Sequence, residues 1–194
     1  YWAWKNLDAD YIGLVHYRRY FTRKEGRSVE DKKNQILTGE EWETLLSQYP
    51  VVVADKRKYY IETNRSHYNN AHHSEGLDVA EQIIAEQYPE YSAAFTTVCN
   101  RTWAHMFNMF VMRRDLYNQY CEWMFSILEE LEKRVDISGY DAYESRIYGF
   151  VSEILLDVWL EANRIEYKEQ NVSFMEPQNW VKKGGLFLKR KFFK

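Results

Sequence analysis

Cysteine is scarce in this chain: Cys99 and Cys121 are the only two in 194 residues. Neither has partners at metal-ligand spacing, so no cysteine-built metal site is available and both read as buried thiols. No apolar run approaches the roughly 20 residues that a membrane-spanning helix requires. No signal peptide is visible either, which makes the cytoplasm the default location. Charge of one sign is missing as well. With 26 basic against 29 acidic residues and a net charge of −3, no global field draws in nucleic acid, and the basic side chains must act locally. Internal repeats, low-complexity tracts and a glycine-rich phosphate loop are also lacking; Gly184 and Gly185 mark a turn and nothing more.

What the chain has in quantity is aromatic: 16 Tyr, 10 Phe and 7 Trp make 17% of it. Rings with one polar edge fill cores and also floor sugar or base sites, so the composition tilts toward a carbohydrate or nucleotide ligand. The organising stretch is DYIGLVHYRRYF, residues 10–21. Residues 11–15 form an apolar run of strand length that discharges into His16, Tyr17, Arg18, Arg19 and Tyr20. In open α/β sheets, ligands collect beyond the carboxyl ends of the strands. Two adjacent guanidinium forks there suit phosphate or carboxylate, and the expected ligand is an anion such as the diphosphate of a nucleotide sugar. The alternative is that Arg18 and Arg19 pair with the chain's own carboxylates.

Residues 1–6 read as the last turns of a helix, and residues 6–10 as a turn into the first strand. The opening Tyr1, Trp2, Ala3, Trp4, with no methionine, suggests that a segment precedes it. Asp8 and Asp10 spell the D-x-D of many glycosyltransferases but stand before the strand, where a metal-holding pair stands after it; they read as turn-closing carboxylates. Residues 22–37 are charged and aperiodic and are expected to form a loop. Thr38 with Glu41 makes a capping box that opens a helix running to about Gln48. Residues 50–54 are a second buried strand, ending in Asp55, Lys56, Arg57, Lys58, Tyr59 and Tyr60, so the first pattern is repeated. His67, His72 and His73 invite a zinc site, yet neither an H-E-x-x-H motif nor cysteine supports one, and hydrogen bonding to substrate or helix capping is preferred. Residues 77–87 and 90–98 read as two short helices broken at Pro89. Residues 105–112 read as a third strand in which His105 and Asn108 are the only strongly polar side chains. Asn108 must be locked in a core network or turned toward a ligand, and the ligand is favoured.

Residues 115–135 form the clearest helix, with Leu116, Tyr120, Trp123, Met124, Ile127, Leu128, Leu131 and Val135 on one face. A further helix over residues 143–163 turns Ile147, Phe150, Val151, Ile154, Leu155 and Val158 to the core and sets Arg146, Gly149 and Glu153 on another face. Glycine inside a helix costs about 1 kcal/mol relative to alanine, which implies a close approach to the backbone at Gly149. Glu153 is then either a carboxylate beside a substrate or one half of a solvated charge pair. Residues 165–175 read as a late strand or hairpin. The organisation is a domain over residues 1–176 and a basic, aromatic tail over 177–194. The alternation of rings and cations over 180–194 suits contact with an anionic membrane surface or docking on another domain.

The segments YWAWKN, DYIGLVHYRRYF, YYIETNRSHY, AHMFNMFVM and RIYGFVSEILLDVWL together resemble the bacterial capsular and exopolysaccharide biosynthesis family catalogued as domain of unknown function 4422. The resemblance runs from Tyr1 to about Trp180 and implies a GT-A-like α/β fold, a mostly parallel central sheet flanked by helices, with the amino-terminal part truncated. It implies a glycosyltransferase that moves a sugar from a nucleotide-sugar donor to a glycan or lipid-linked acceptor of a capsule, exopolysaccharide or O-antigen. The alternative is a non-catalytic carbohydrate-binding module of the same pathway. The place where such folds carry D-x-D is taken by His16, Tyr17, Arg18 and Arg19, so cationic side chains are expected to replace a divalent metal against the departing diphosphate. Glu153 is the expected general base, with His16 as second candidate. Tyr17, Arg18 and Arg19 are assigned to the donor phosphates, and Tyr60, His67, His105, Asn108 and Arg146 to the acceptor or sugar. No metal or other cofactor and no nucleic-acid partner are expected.

Overall fold

The computed structural model describes residues 1–176. The expected tail over 177–194, with its membrane-facing reading, lies outside the described residues.

Four strands build the central sheet: β1 (Tyr11–Leu14), β3 (Val51–Ala54), β6 (Phe110–Arg113) and β7 (Lys168–Gln170), in the order β1-β6-β3-β7. β6 is antiparallel to both β1 and β3, whereas β3 and β7 are parallel. Hence β1, β3 and β7 point one way and β6 alone is reversed. The expectation of a mostly parallel sheet holds for strand direction, but two of the three pairings are antiparallel because the reversed strand sits between β1 and β3. β3 is buried along its whole length, which is why it reads as an unbroken apolar run. Its alternate residues serve two cores. Val51 and Val53 face a cluster with Leu77, Ile84, Phe95, Ile127, Leu155 and Trp159, while Ala54 packs with Phe21 and Met109 on the other side.

The larger core is walled by four helices: α5 (Glu75–Gln87), α6 (Ser92–Asn100), α7 (Arg114–Arg134) and α8 (Ile147–Ala162). In α7 the buried positions are those with helical spacing, among them Leu116, Tyr120, Trp123, Ile127 and Leu131. On the opposite side, α3 (Gly39–Gln48) starts from the Thr38–Glu41 capping box, and its Trp42 packs edge-on against Phe21. Two small ribbons complete the fold, β2 (Arg19–Phe21) with β8 (Val172–Phe174), and β4 (Arg57–Lys58) with β5 (Trp103–Ala104). The remaining helices are α1 (Trp2–Asn6), α2 (Val29–Asn34) and α4 (Asn64–Ala71).

Several expectations are corrected. The loop over 22–37 contains α2, which buries no residue and therefore shows no periodicity; it forms because Ser28 Oγ accepts the Asp31 N–H. The third strand is not continuous over 105–112. β5 ends at Ala104 and β6 begins at Phe110, because Phe107 and Asn108 adopt left-handed backbone angles, φ 78° and 50°, which no strand accommodates. The late hairpin is instead two strands in different sheets. The last helix begins at Ile147, after a 3-10 turn over Glu144–Arg146.

Candidate functional site

Because β1 and β3 run in the same direction, the residues that follow them emerge at one edge of the sheet. The reversed β6 enters from that edge, so the Phe107–Asn108 turn lies there too. His16 and Phe107 are locked together: Nε2 of His16 is 2.7 Å from the Phe107 carbonyl oxygen. A carbonyl only accepts, so His16 donates through Nε2–H, and in the neutral ring Nδ1 is the acceptor nitrogen.

Left-handed angles at two successive non-glycine residues cost on the order of 1–3 kcal/mol each, and the contacts around the turn hold them. The Phe107 N–H donates to the Glu153 carboxylate, its carbonyl receives His16, and Asn108 Nδ2 donates to Ser152 Oγ at 2.7 Å. The strained turn therefore joins the end of β1 to α8. On its outer side the Arg19 guanidinium lies 3.9 Å from the centre of the Phe107 ring.

Glu153 is the focus of this region. It is half-buried on α8, and burial pushes its carboxyl above the ordinary glutamate value, outweighing the Phe107 N–H and the charges of Arg19, Arg146 and Arg57. Arg19 is lowered in turn, first by burial and then by Arg57, against the pull of Glu153. Among the described residues, none of Arg19, Arg57 or Arg146 has an ion-pair partner within 4.0 Å. Three guanidinium groups thus act on one carboxylate, an excess of positive charge with room for an anion.

The two adjacent arginines fall in different local structures: Arg18 sits in the turn closed by the Arg19 N–H on the His16 carbonyl at 3.1 Å, and Arg19 opens β2. Arg18 lies 4.5 Å from the Tyr17 ring centre and pairs with Glu176 at 2.8 Å, both groups about half exposed. Arg18 thus meets the alternative of a surface ion pair, worth under about 1 kcal/mol, while Arg19 reaches inward. Tyr17 is exposed, and so is Tyr60, with 79% of its surface open and φ 59°.

His105 is placed otherwise than expected. It is 0% exposed, with Nδ1 and its backbone N–H both on the Asp157 carboxylate and Nε2 3.7 Å from Glu169. An imidazole closed off in this way ties β5 to α8 and cannot touch an acceptor. Asn108 is likewise engaged by α8, through Ser152 and, at 3.5 Å, the Gly149 carbonyl. Arg146 is exposed at the foot of α8, its guanidinium 5.4 Å from the Phe150 ring centre. A Cβ built on Gly149 meets nothing within 4 Å, so no protein atom fills the space that its missing side chain leaves.

His67 is stacked on Tyr59 at 4.1 Å, with Nδ1 2.9 Å from the buried Glu62 carboxylate. Asn70 donates to the other Glu62 oxygen. Glu153, Tyr59 and His67 line one small cavity with Phe150 and Met106. His72 stacks on Phe150 and lines the same cavity, whereas His73 stacks on Tyr140. Among the described residues no group of three His, Cys, Asp or Glu side chains could hold a metal ion. Asp8 and Asp10 precede β1 and lie at the other end of that strand from the mouth. Sequence reasoning left Arg57 and Glu62 out of the site. For Arg57 the signal existed, because the basic run after β3 repeats the one after β1.

Residues 1–164 match the family described as Domain of unknown function (DUF4422). The chain belongs to the DUF4422 family. The WbbM bifunctional glycosyltransferase, in its apo structure, is similar to this DUF4422 chain over 91% of its length, with 27% sequence identity and a TM-score of 0.82. The chain spans 35% of the length of that protein. No curated protein matches. The mixed α/β fold of this DUF4422 chain is therefore one it shares with part of a glycosyltransferase. No helix among the described residues is long and apolar enough to cross a membrane.

Proposed function

We propose that this DUF4422 chain is a glycosyltransferase domain that moves a hexose from a nucleotide-sugar donor to a glycan or lipid-linked acceptor in the assembly of a capsule, exopolysaccharide or O-antigen. The observation that carries the reading is Glu153 itself, a half-buried carboxylate whose pKa burial raises, set among arginines that have no ion-pair partner among the described residues. A general base works best when its pKa approaches the operating pH. Guanidinium groups without partners suit a diphosphate whose charge grows as the glycosidic bond breaks. The likeness to a segment of WbbM supports the same class.

In this reading Arg19 and Arg57 meet the donor diphosphate, with Tyr17 and Arg18 at its outer margin, where a phosphate competes with Glu176 for Arg18. The acceptor oxygen forms its bond to the anomeric carbon as the bond from that carbon to the phosphate oxygen breaks. The electron pair leaves with the nucleoside diphosphate, and the acceptor's proton goes to Glu153. His16, with Nδ1 open as an acceptor, is the second candidate for that proton. Arg146 and His67 border the acceptor side. Side-chain cations take the part a divalent metal has elsewhere, and the donor places the reaction in the cytoplasm, at or near the inner face of the membrane.

The direct test is binding of UDP and GDP to the full-length protein by calorimetry in the presence of EDTA. Saturable binding is expected, weakened about tenfold or more by Arg19→Ala and by Arg57→Ala. Binding that needs a divalent cation, or that ignores both substitutions, contradicts the assignment.

A further inference from the structure

A second cavity, about 300 Å³ in volume, lies at the carboxyl end of α8, at the lower end of the size range in which small ligands are enclosed. The closure of the helix builds it. The Arg164 N–H returns to the Glu161 carbonyl at 3.2 Å and the Ile165 N–H to the Leu160 carbonyl at 3.0 Å, a helix ending that needs a left-handed residue. Arg164 takes that place with φ 52°, where glycine or asparagine is usual, and its side chain lines the cavity. Leu160, Ile165 and the half-buried Tyr167 supply apolar lining, and Arg101, Asp157 and Glu161 join Arg164 in the polar lining. The Tyr167 ring is held edge-on to His105 at 5.1 Å.

The charges of this lining decide what it suits. Asp157 is 2% exposed and is taken up by His105, so it offers the cavity no contact. Arg101 pairs with Glu161, whose side chain stays 42% exposed, while Arg164 has no ion-pair partner within 4.0 Å among the described residues. An anion drawn to Arg164 meets the Glu161 carboxylate, a cation meets two guanidinium groups, and a zwitterion needs a carboxylate that is not already paired. A neutral polyhydroxyl ligand escapes all three penalties. Each hydroxyl both donates and accepts, so one accepts from Arg164 and another donates to Glu161, and the C–H face of a sugar suits the Tyr167 ring. Glu153, Asp157 and Glu161 recur every four residues along α8, which at 1.5 Å per residue sets the cavity about 6–12 Å along the helix from Glu153.

We propose that this cavity binds one neutral sugar residue of the glycan on which the transferase works, as a second point of attachment away from the transfer centre. The glycosyltransferase reading is what identifies the polyhydroxyl ligand as part of a glycan, and the inference rests on it to that extent. The charge balance and the tyrosine ring select a neutral residue over an acidic or amino sugar.

The test titrates the 15N-labelled full-length protein with methyl β-glucoside, methyl β-galactoside and methyl α-mannoside, and with methyl β-glucuronide and methyl β-glucosaminide as charged counterparts, while the amide resonances of Arg164, Ile165 and Tyr167 are followed. At least one neutral glycoside is expected to shift these amides saturably and to bind more tightly than either charged sugar. Arg164→Gly removes the guanidinium and places the residue best suited to the left-handed angle, so it is expected to weaken that binding about tenfold with no fall in the unfolding midpoint. The wild-type titration decides occupancy whatever the variant does. No saturable shift with any neutral glycoside, tighter binding of the glucuronide or the glucosaminide at these amides, or unchanged affinity in folded Arg164→Gly overturns the proposal. Nucleotide-sugar turnover without occupancy of the cavity defeats this assignment and leaves the glycosyltransferase reading standing. Occupancy with no turnover of any nucleotide sugar supports the sugar site and defeats that reading.

Discussion

The Phe107 N–H is donated to the carboxylate of Glu153, from a residue whose backbone angle, φ 78°, is one that phenylalanine rarely adopts. The same peptide segment receives the His16 imidazole on its carbonyl. One strained turn thus sets the distance between the end of β1 and the carboxylate on α8, and the arginine Arg19 is laid across its ring.

Glu153→Gln is expected to separate stability from chemistry. A carboxyl whose folded pKa exceeds its unfolded value binds more protons when folded, so its contribution to stability is lost as pH rises from the unfolded value through the folded one. At neutral pH the ionised side chain is a burden, and the isosteric amide relieves it. Calorimetric unfolding should show Glu153→Gln at least as stable as wild type at pH 7. Its advantage should shrink below the ordinary glutamate pKa, and transfer should fall about 100-fold or more.

Gly149→Ala tests whether the open face of α8 is a working surface. Alanine there meets no protein atom, and removing a helix-interior glycine stabilises by about 0.5–1 kcal/mol. Denaturant melts should show that gain. A fall in acceptor kcat/KM alongside it is expected if substrate lies against this face.

Asp157 accepts both the Nδ1 proton and the backbone N–H of His105 in a fully buried setting. Asp157→Ala leaves two buried donors unmet and should cost about 2 kcal/mol or more, read as a lowered unfolding midpoint. Once corrected for folded fraction, UDP or GDP affinity should not change, because neither group reaches the mouth.

Arg18 and Arg19 should behave differently despite their adjacency. Arg18→Ala removes a half-exposed ion pair with Glu176 and should change stability by under about 1 kcal/mol, with a small loss of donor affinity. Arg19→Ala removes the partly buried guanidinium over Phe107 and should reduce nucleotide-sugar turnover about 100-fold.

Much of the site's location was legible in the chain, because two apolar strands each open into a basic run and strands of like direction share an edge. Glu153 and Arg146 were visible through helical spacing. What the pattern could not convey is side-chain direction. Adjacent Arg18 and Arg19 look equivalent in sequence, yet one lies in the turn before β2 and pairs with Glu176, while the other opens the strand and lies over Phe107. His105 reads as accessible when a strand runs through residues 105–112, and the left-handed turn that breaks it is signalled only by Asn108, since phenylalanine has no propensity for the angle Phe107 adopts. It is sustained by His16 and Ser152, distant in sequence. Glu62 was missed for the same reason, since its role follows from the fold of α4 bringing His67 and Asn70 onto it.

The most direct test is transfer of radiolabelled sugar from a panel of UDP- and GDP-sugars by the full-length protein, with EDTA present throughout, in wild type, Arg19→Ala and Glu153→Gln. The account predicts turnover of at least one donor in wild type and about a 100-fold loss in each variant. Turnover that vanishes with EDTA, or variants as active as wild type, would contradict it.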